Sequence, residues 1–193
     1  MTYEVGDALV PGSLAPHLAN ASCVISCIGG FGSNEAMLRV NGTANEAAVA
    51  AAAAASVPRF VLVSVHDYNT PAFVNDSLNY FVGKRAAEKA LLRTFASTAA
   101  ILRPGFIFGD RVVSDSLTLP LGALGQPLEA ALRAARAGPL QGLLELLDKV
   151  PASDLLLAPP VGVAAVAAAA VACATGAAPA GIYDIDGINR IAV

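Results

Sequence analysis

Four short apolar runs punctuate the chain, each bounded by glycine, proline or a polar residue. Cys23-Val24-Ile25-Ser26-Cys27-Ile28 runs into Gly29-Gly30, and Phe60-Val61-Leu62-Val63-Ser64-Val65 is rich in β-branched residues. Ala99-Ala100-Ile101-Leu102 leads through Arg103-Pro104-Gly105 to Phe106-Ile107-Phe108-Gly109, and Gly181-Ile182-Tyr183-Asp184-Ile185 comes last. Runs of this length predict buried strands. Helix-length stretches lie between them. Asn34 to Ala55 is rich in Ala, Glu and Met, with Ser33 or Asn34 placed to cap it. Asn79 to Phe95 carries apolar residues at helical spacing, and Val161 to Thr175 reads as a buried helix stopped by Gly176. Strands alternating with helices predict an α/β fold with a parallel sheet covered on both faces. Leu117 to Val150 differs: it is Leu-rich with prolines at 120, 127 and 139. It predicts one or two amphipathic helices, a small helical insertion spanning about 111–160 of a single domain over 1–193.

Composition narrows this picture. The 193 residues suffice for one domain with its own core. Only 14% are charged, which excludes disorder driven by net charge. A net charge of −3 gives too little counterion release for nucleic-acid binding. Three cysteines do not make a disulfide scaffold. Cys23 and Cys27 read as buried thiols on one face of a strand. With Cys173 remote and two histidines in all, no metal site is expected. The charge-free stretch Leu155 to Tyr183 is broken by Pro159, Pro160, Gly162, Gly176, Pro179 and Gly181, so no transmembrane segment is expected. Met1 to Val10 does not read as a secretory or transit leader.

The chemistry concentrates around Tyr80-Phe81-Val82-Gly83-Lys84. Tyr and Lys four apart share one helix face. An ammonium beside a phenol favours the phenolate, so Lys84 is expected to lower the Tyr80 pKa and make it a usable acid or base. Ser64 ends a predicted strand, where ligand sites of parallel sheets form. Such a pair is also compatible with a solvated lysine and a packed tyrosine. His66 follows Ser64 and could line the same cleft.

Several short motifs in order carry a resemblance. They are Gly6-Asp7; Cys27-Ile28-Gly29-Gly30; Val40-Asn41-Gly42-Thr43-Ala44-Asn45; Val57-Pro58-Arg59-Phe60-Val61; Tyr80 to Lys84; and Leu102-Arg103-Pro104-Gly105 with Ile107-Phe108-Gly109. Together, over roughly residues 5–110, they resemble the extended and atypical branch of the short-chain dehydrogenase/reductase superfamily, whose fold is a Rossmann-type doubly wound sheet. The resemblance implies hydride transfer with NADP or NAD. It implies a catalytic set of Ser64 polarising a carbonyl, Tyr80 as proton donor, Lys84 tuning it and Asn41 supporting the lysine through water. It assigns Asp7 and Ala8 to adenine. Cys27, Ile28, Gly29, Gly30 and Lys84 fall to the ribose and phosphates, and Pro104, Gly105, Phe106 and Ile107 to the nicotinamide side. Gly29-Gly30-Phe31-Gly32-Ser33-Asn34 and Ser64-Val65-His66-Asp67-Tyr68-Asn69 further resemble a mitochondrial-type group that includes the nucleotide-binding accessory subunit of respiratory complex I and a related protein of coenzyme Q biosynthesis. That likeness places the expected location in an organelle, the mitochondrion ahead of the plastid.

One family feature is missing. No Gly-x-x-Gly-x-x-Gly turn opens a helix to hold a pyrophosphate. The expectation is therefore an incomplete sheet lacking its first strands, truncated at the N-terminus, which binds NAD(P) poorly or not at all. In the 3-2-1-4-5-6 strand order the Cys23 to Ile28 strand would become an exposed edge, a docking place for a protein partner. The Leu-rich segment, with Arg133 and Arg136, offers a second surface for a partner or a membrane face. Three readings stay open: an NAD(P)-dependent oxidoreductase, a non-catalytic nucleotide-binding subunit or assembly factor in quinone or respiratory metabolism, and a fragment without cofactor.

Overall fold

A computed structural model describes residues 2–114, 117–120 and 122–192. A short helix, α1 (Ala15–Leu18), precedes β1 (Val24–Ser26). One continuous helical stretch follows: α2 (Asn34–Leu38), a π-helical turn (Arg39–Thr43) and α3 (Ala44–Ala54). It begins where the Ser33 hydroxyl accepts the Ala36 N–H. Next come β2 (Phe60–Val63), α4 (Ala72–Ser77), α5 (Asn79–Phe95), β3 (Ala99–Leu102) and β4 (Ile107–Phe108). The chain continues through β5 (Asp110–Ser114), β6 (Leu117–Pro120), α6 (Gly122–Ala137), α7 (Gln141–Leu147) and α8 (Asp154–Leu157). It closes with β7 (Val161–Gly162), α9 (Val163–Thr175), β8 (Gly181–Tyr183) and α10 (Ile185–Ile191).

The main sheet has four parallel strands in the order β1-β2-β3-β8, with Phe60 opposite Ala99 and Ala100 opposite Gly181. Strand alternation sends side chains to both faces, and both are covered. Phe60, Leu62, Ala99 and Ile101 pack with Ala48, Val49 and Ala52 of α3 and Ala87, Leu91 and Phe95 of α5. Val61, Ala100 and Leu102 pack with Val166, Ala169 and Cys173 of α9 and Ile185 and Ile188 of α10. Helix α9 ends on Gly176 at φ 81°, a left-handed cap that favours glycine. Among the described residues β1 pairs only with β2, so it is a sheet edge, and Ile25 there is 41% exposed.

Three local expectations change. Leu117–Pro120 is not helical: it pairs antiparallel with β5, and helix begins only at Gly122. The helical period was read across Pro120, which closes one element before the next starts. Val161–Gly162 likewise joins β4 as a short parallel pair before α9 begins. Cys23 and Cys27 flank β1 rather than sharing its buried face: Cys23 is half-buried and Cys27 is exposed. No helix among the described residues is long and apolar enough to cross a membrane.

Candidate functional site

The π-helical turn and α5 are in backbone contact. A Cβ on Gly83 would lie 2.8 Å from the Gly42 nitrogen, and one on Gly42 would lie 3.1 Å from the Gly83 Cα. Glycine at both positions lets two helices approach closer than side chains allow. The approach brings Asn41 and Lys84, next to those glycines, onto the turn that follows β1. Asn41 Nδ2 donates to the carbonyls of Gly30 and Met37 at 2.8 Å each, and its Oδ1 accepts the Gly30 N–H at 3.2 Å. Lys84 Nζ donates at 2.9 Å to the carbonyls of Ile28 and Val63, bridging the ends of β1 and β2. A Cβ on Gly29 would lie 3.0 Å from both Asn41 Oδ1 and Lys84 Nζ. A side chain at Gly29 would therefore press on both polar groups, and glycine leaves them their positions. Asn45 extends the network, donating to the Ile28 and Asn41 carbonyls and accepting from the Ser26 hydroxyl at 2.7 Å.

Lys84 is 3% exposed, and burial pulls its pKa down from the ordinary lysine value to about 8, against the upward pull of Cys27 and Glu88. Tyr80 behaves differently from expectation. Burial pushes its phenol pKa up, whereas a neighbouring ammonium was expected to lower it. The physical reason is direction: the Lys84 ammonium is spent on two backbone carbonyls. Tyr80 instead stacks on Phe31, with centroids 4.6 Å apart and planes at 10°, and meets Phe81 edge-on at 5.5 Å. Phe81 meets Tyr68 at 6.2 Å, and Tyr68 meets His66 at 4.9 Å. A row of five rings therefore runs from the glycine turn to His66.

Ser64 lies just past the end of β2, as expected, and its hydroxyl donates to Glu88 Oε1 at 2.5 Å. Glu88 also accepts from Arg85 Nη1 at 2.6 Å and from Arg103 Nε and Nη2 at 3.1 and 2.6 Å. Arg85 reaches on to the Val65 and His66 carbonyls and to Asp67. This buried carboxylate fastens three segments together: α5, the loop after β2 and the loop after β3. Sequence reasoning missed it, although its place four residues after Lys84 put it on the same helix face.

The remaining expected contacts divide. Pro104 is fully buried, and its carbonyl accepts the His66 N–H at 2.8 Å. A Cβ on Gly105 would lie 3.2 Å from Ile185 Cδ1 and 3.6 Å from the Tyr68 hydroxyl, so this loop abuts the ring row. Phe106 is exposed, and Ile107 lies in β4 opposite Val161. Asp7 and Ala8 lie in a turn before α1, where Asp7 binds Ser13 Oγ and the Leu9 N–H. Those contacts are local and do not join Asp7 to the Asn41–Lys84 cluster. His66 Nε2 lies 3.6 Å from Asp154 Oδ2. Burial lowers the His66 pKa, with Asp154 the foremost opposing charge.

A family described as NAD(P)H-binding matches residues 1–118. An uncharacterised chloroplastic protein of Arabidopsis thaliana is 43% identical over 175 residues, covering 91% of this chain and 57% of that protein. The chain thus spans little more than half the length of this relative. The relative's chloroplastic description overturns the expected preference for the mitochondrion. Among solved structures, MoeE5 in complex with UDP-glucose and NAD is similar at a TM-score of 0.57 and 19% identity, over 98% of this chain and 67% of that one. A short-chain dehydrogenase/reductase superfamily protein from Agrobacterium tumefaciens with bound NAD is similar at 0.54 and 16%, over 94% and 64%. At these identities the likeness establishes the Rossmann-like α/β fold.

Proposed function

The chain belongs to the NAD(P)H-binding family, and from that premise we propose that it is a plastid oxidoreductase of the short-chain dehydrogenase type, acting on the carbonyl or alcohol of a small molecule. The observation that supports this reading is the anchoring of Lys84 to the ends of β1 and β2, one helical turn beyond Tyr80. The residues present fit a nicotinamide nucleotide, NADP or NAD. Two of the three Lys84 N–H donors are spent on carbonyls, which leaves one for a ribose hydroxyl. Asn41 accepts the Gly30 N–H and donates to the Gly30 carbonyl, and so holds two successive peptides of the turn in one shape. When bound, the nucleotide supplies or takes up hydride. Tyr80 holds the proton at its phenol oxygen, and its raised pKa suits a donor that stays protonated at neutral pH. The buried Pro104 fixes the loop on the nicotinamide side, and Gly105 lets that loop pack closely against Ile185.

Titration of the purified chain with NADPH and NADH tests the reading. Saturable binding is expected, weaker than micromolar because the glycine-rich pyrophosphate turn is missing from the sequence. Tyr80→Phe should keep that affinity within about twofold while abolishing nucleotide oxidation by carbonyl substrates. A chain that binds neither nucleotide sinks the proposal. The sealing of the Ser64 hydroxyl on Glu88 favours a second reading, a nucleotide-binding subunit without turnover. On that reading Tyr80→Phe would complement a null strain as well as the wild type does.

A further inference from the structure

A cavity of about 620 Å³ opens beside the Pro104–Gly105 loop, between the loop after β2 and the ends of α6, α7 and α8. Its wall includes Pro159 and Ile185, and a Cβ on Gly105 would lie 3.7 Å from the Pro159 carbonyl and 3.2 Å from Ile185 Cδ1. Two guanidiniums and four carboxylates line it. Both guanidiniums are already matched: Arg136 binds Asp148 through two bonds of 2.7 and 3.0 Å, and Arg133 binds Glu129 at 3.0 Å and Asp186 at 3.3 Å. Among the described residues, Asp154 and Asp184 are left as negative charge with no arginine at bonding distance. His66 adds no compensating charge at neutral pH, because burial lowers its pKa; Asp154, Asp67 and Asp184 oppose that shift, and Arg85 reinforces it.

Hydrogen-bonding capacity is also unbalanced. Four buried side-chain polar atoms lack a partner among the described residues: His66 Nδ1, Asn69 Oδ1, Asp154 Oδ1 and Arg133 Nη2. All four belong to residues that line this cavity. Asn69 Oδ1 and Asp154 Oδ1 can only accept and Arg133 Nη2 can only donate, while Nδ1 of a neutral His66 does one or the other according to its tautomer. Buried polar atoms without partners are costly, and a guest that supplies the missing partners removes the cost.

We propose that this cavity is a binding site for an uncharged, polyhydroxylated small molecule. Hydroxyl groups supply the donors that Asn69 and Asp154 lack and pair with His66 in either tautomer, and a ring or hydroxyl oxygen accepts from Arg133. The excess of carboxylate turns away phosphorylated and other anionic sugars. Its role as the substrate pocket rests on the oxidoreductase reading; its ligand class does not.

Isothermal titration calorimetry of the 193-residue chain with myo-inositol, D-glucose and D-glucose 6-phosphate tests this. At least one neutral probe should bind saturably, with glucose 6-phosphate at least tenfold weaker. Asp154→Asn should weaken the neutral probe at least tenfold. Asp186→Asn, at a largely exposed position, removes one lining carboxylate while Arg133 stays paired with Glu129, and should narrow the gap between neutral and phosphorylated probes. The proposal is overturned if neither neutral probe binds, if the phosphate binds as tightly, or if Asp154→Asn changes nothing. A parallel titration with NADPH keeps the two claims apart: its failure sinks the oxidoreductase reading and leaves the cavity's ligand class intact.

Discussion

The glycine-turn side of the sheet and the α6–α8 side hold together by different means. On the first, backbone meets backbone at Gly42 and Gly83, and buried amide and ammonium groups are spent on carbonyls. On the second, long side chains pair across the cavity while Leu143, Leu146 and Leu156 stay exposed. The first arrangement has one geometry and tolerates little change. The second can rearrange around a guest, because its contacts lie at the tips of flexible arginines and aspartates.

Glu88 fastens α5, which carries Lys84, to the loop after β2, which carries His66 of the cavity wall, and removing it should have the largest effect. Its carboxylate is buried between two guanidiniums and the Ser64 hydroxyl. Truncating it strips three hydrogen-bonded partners and leaves the part-exposed Arg85 and Arg103 to share Asp67, so Glu88→Ala should cost about 2–4 kcal/mol in urea denaturation. A cost below about 1 kcal/mol would mean that solvent already shares this cluster and that the two sides are not joined through it.

A matched pair of glycine substitutions then separates the two sides directly. Gly83→Ala places a Cβ 2.8 Å from a backbone nitrogen that cannot swing away, so about 1–3 kcal/mol should be lost. Gly142→Ala makes the same chemical change in α7, where a Cβ meets nothing within 4 Å. There the helix propensity of alanine should stabilise by about 0.5 kcal/mol. Equal effects on the two melting temperatures would erase the proposed contrast.

Legibility in the sequence follows the same division. Buried strands bounded by Gly or Pro, and the helices Asn79–Phe95 and Val163–Thr175, follow from local pattern, because burial on both faces leaves uninterrupted apolar runs. The motif order also groups Asn41, Lys84 and Gly29-Gly30, which are in contact in the fold. Local pattern did not reveal the π-helical turn, which depends on Gly42 meeting a helix some forty residues later. Nor did it reveal that the Ser64 hydroxyl faces Glu88, since spacing fixes a helix face but not which of two polar neighbours a hydroxyl chooses. The cavity was the least legible part. Asn69 binds Asp154 across 85 positions and Arg133 binds Asp186 across 53, and no periodicity encodes such pairs.

The most gradual effect, spread between about pH 8 and 10.5, asks whether Lys84 is desolvated. Its pKa is about 8 in the folded chain, below the ordinary lysine value. Below pH 8 the amine is protonated in both folded and unfolded states, so it adds no pH dependence. Between about pH 8 and 10.5 the folded chain sheds the proton while the unfolded chain keeps it. The unfolded state then binds more protons, and stability rises with pH. Tyr80, Tyr68 and Cys23, whose pKa values burial raises, push the other way at alkaline pH. Lys84→Met retains those groups, so subtracting its stability curve from that of the wild type isolates the lysine. The difference should climb in favour of the wild type from about pH 8 and level off near 10.5. A flat difference would mean that water reaches the ammonium, and the glycine-turn side would then be as adaptable as the cavity it is contrasted with.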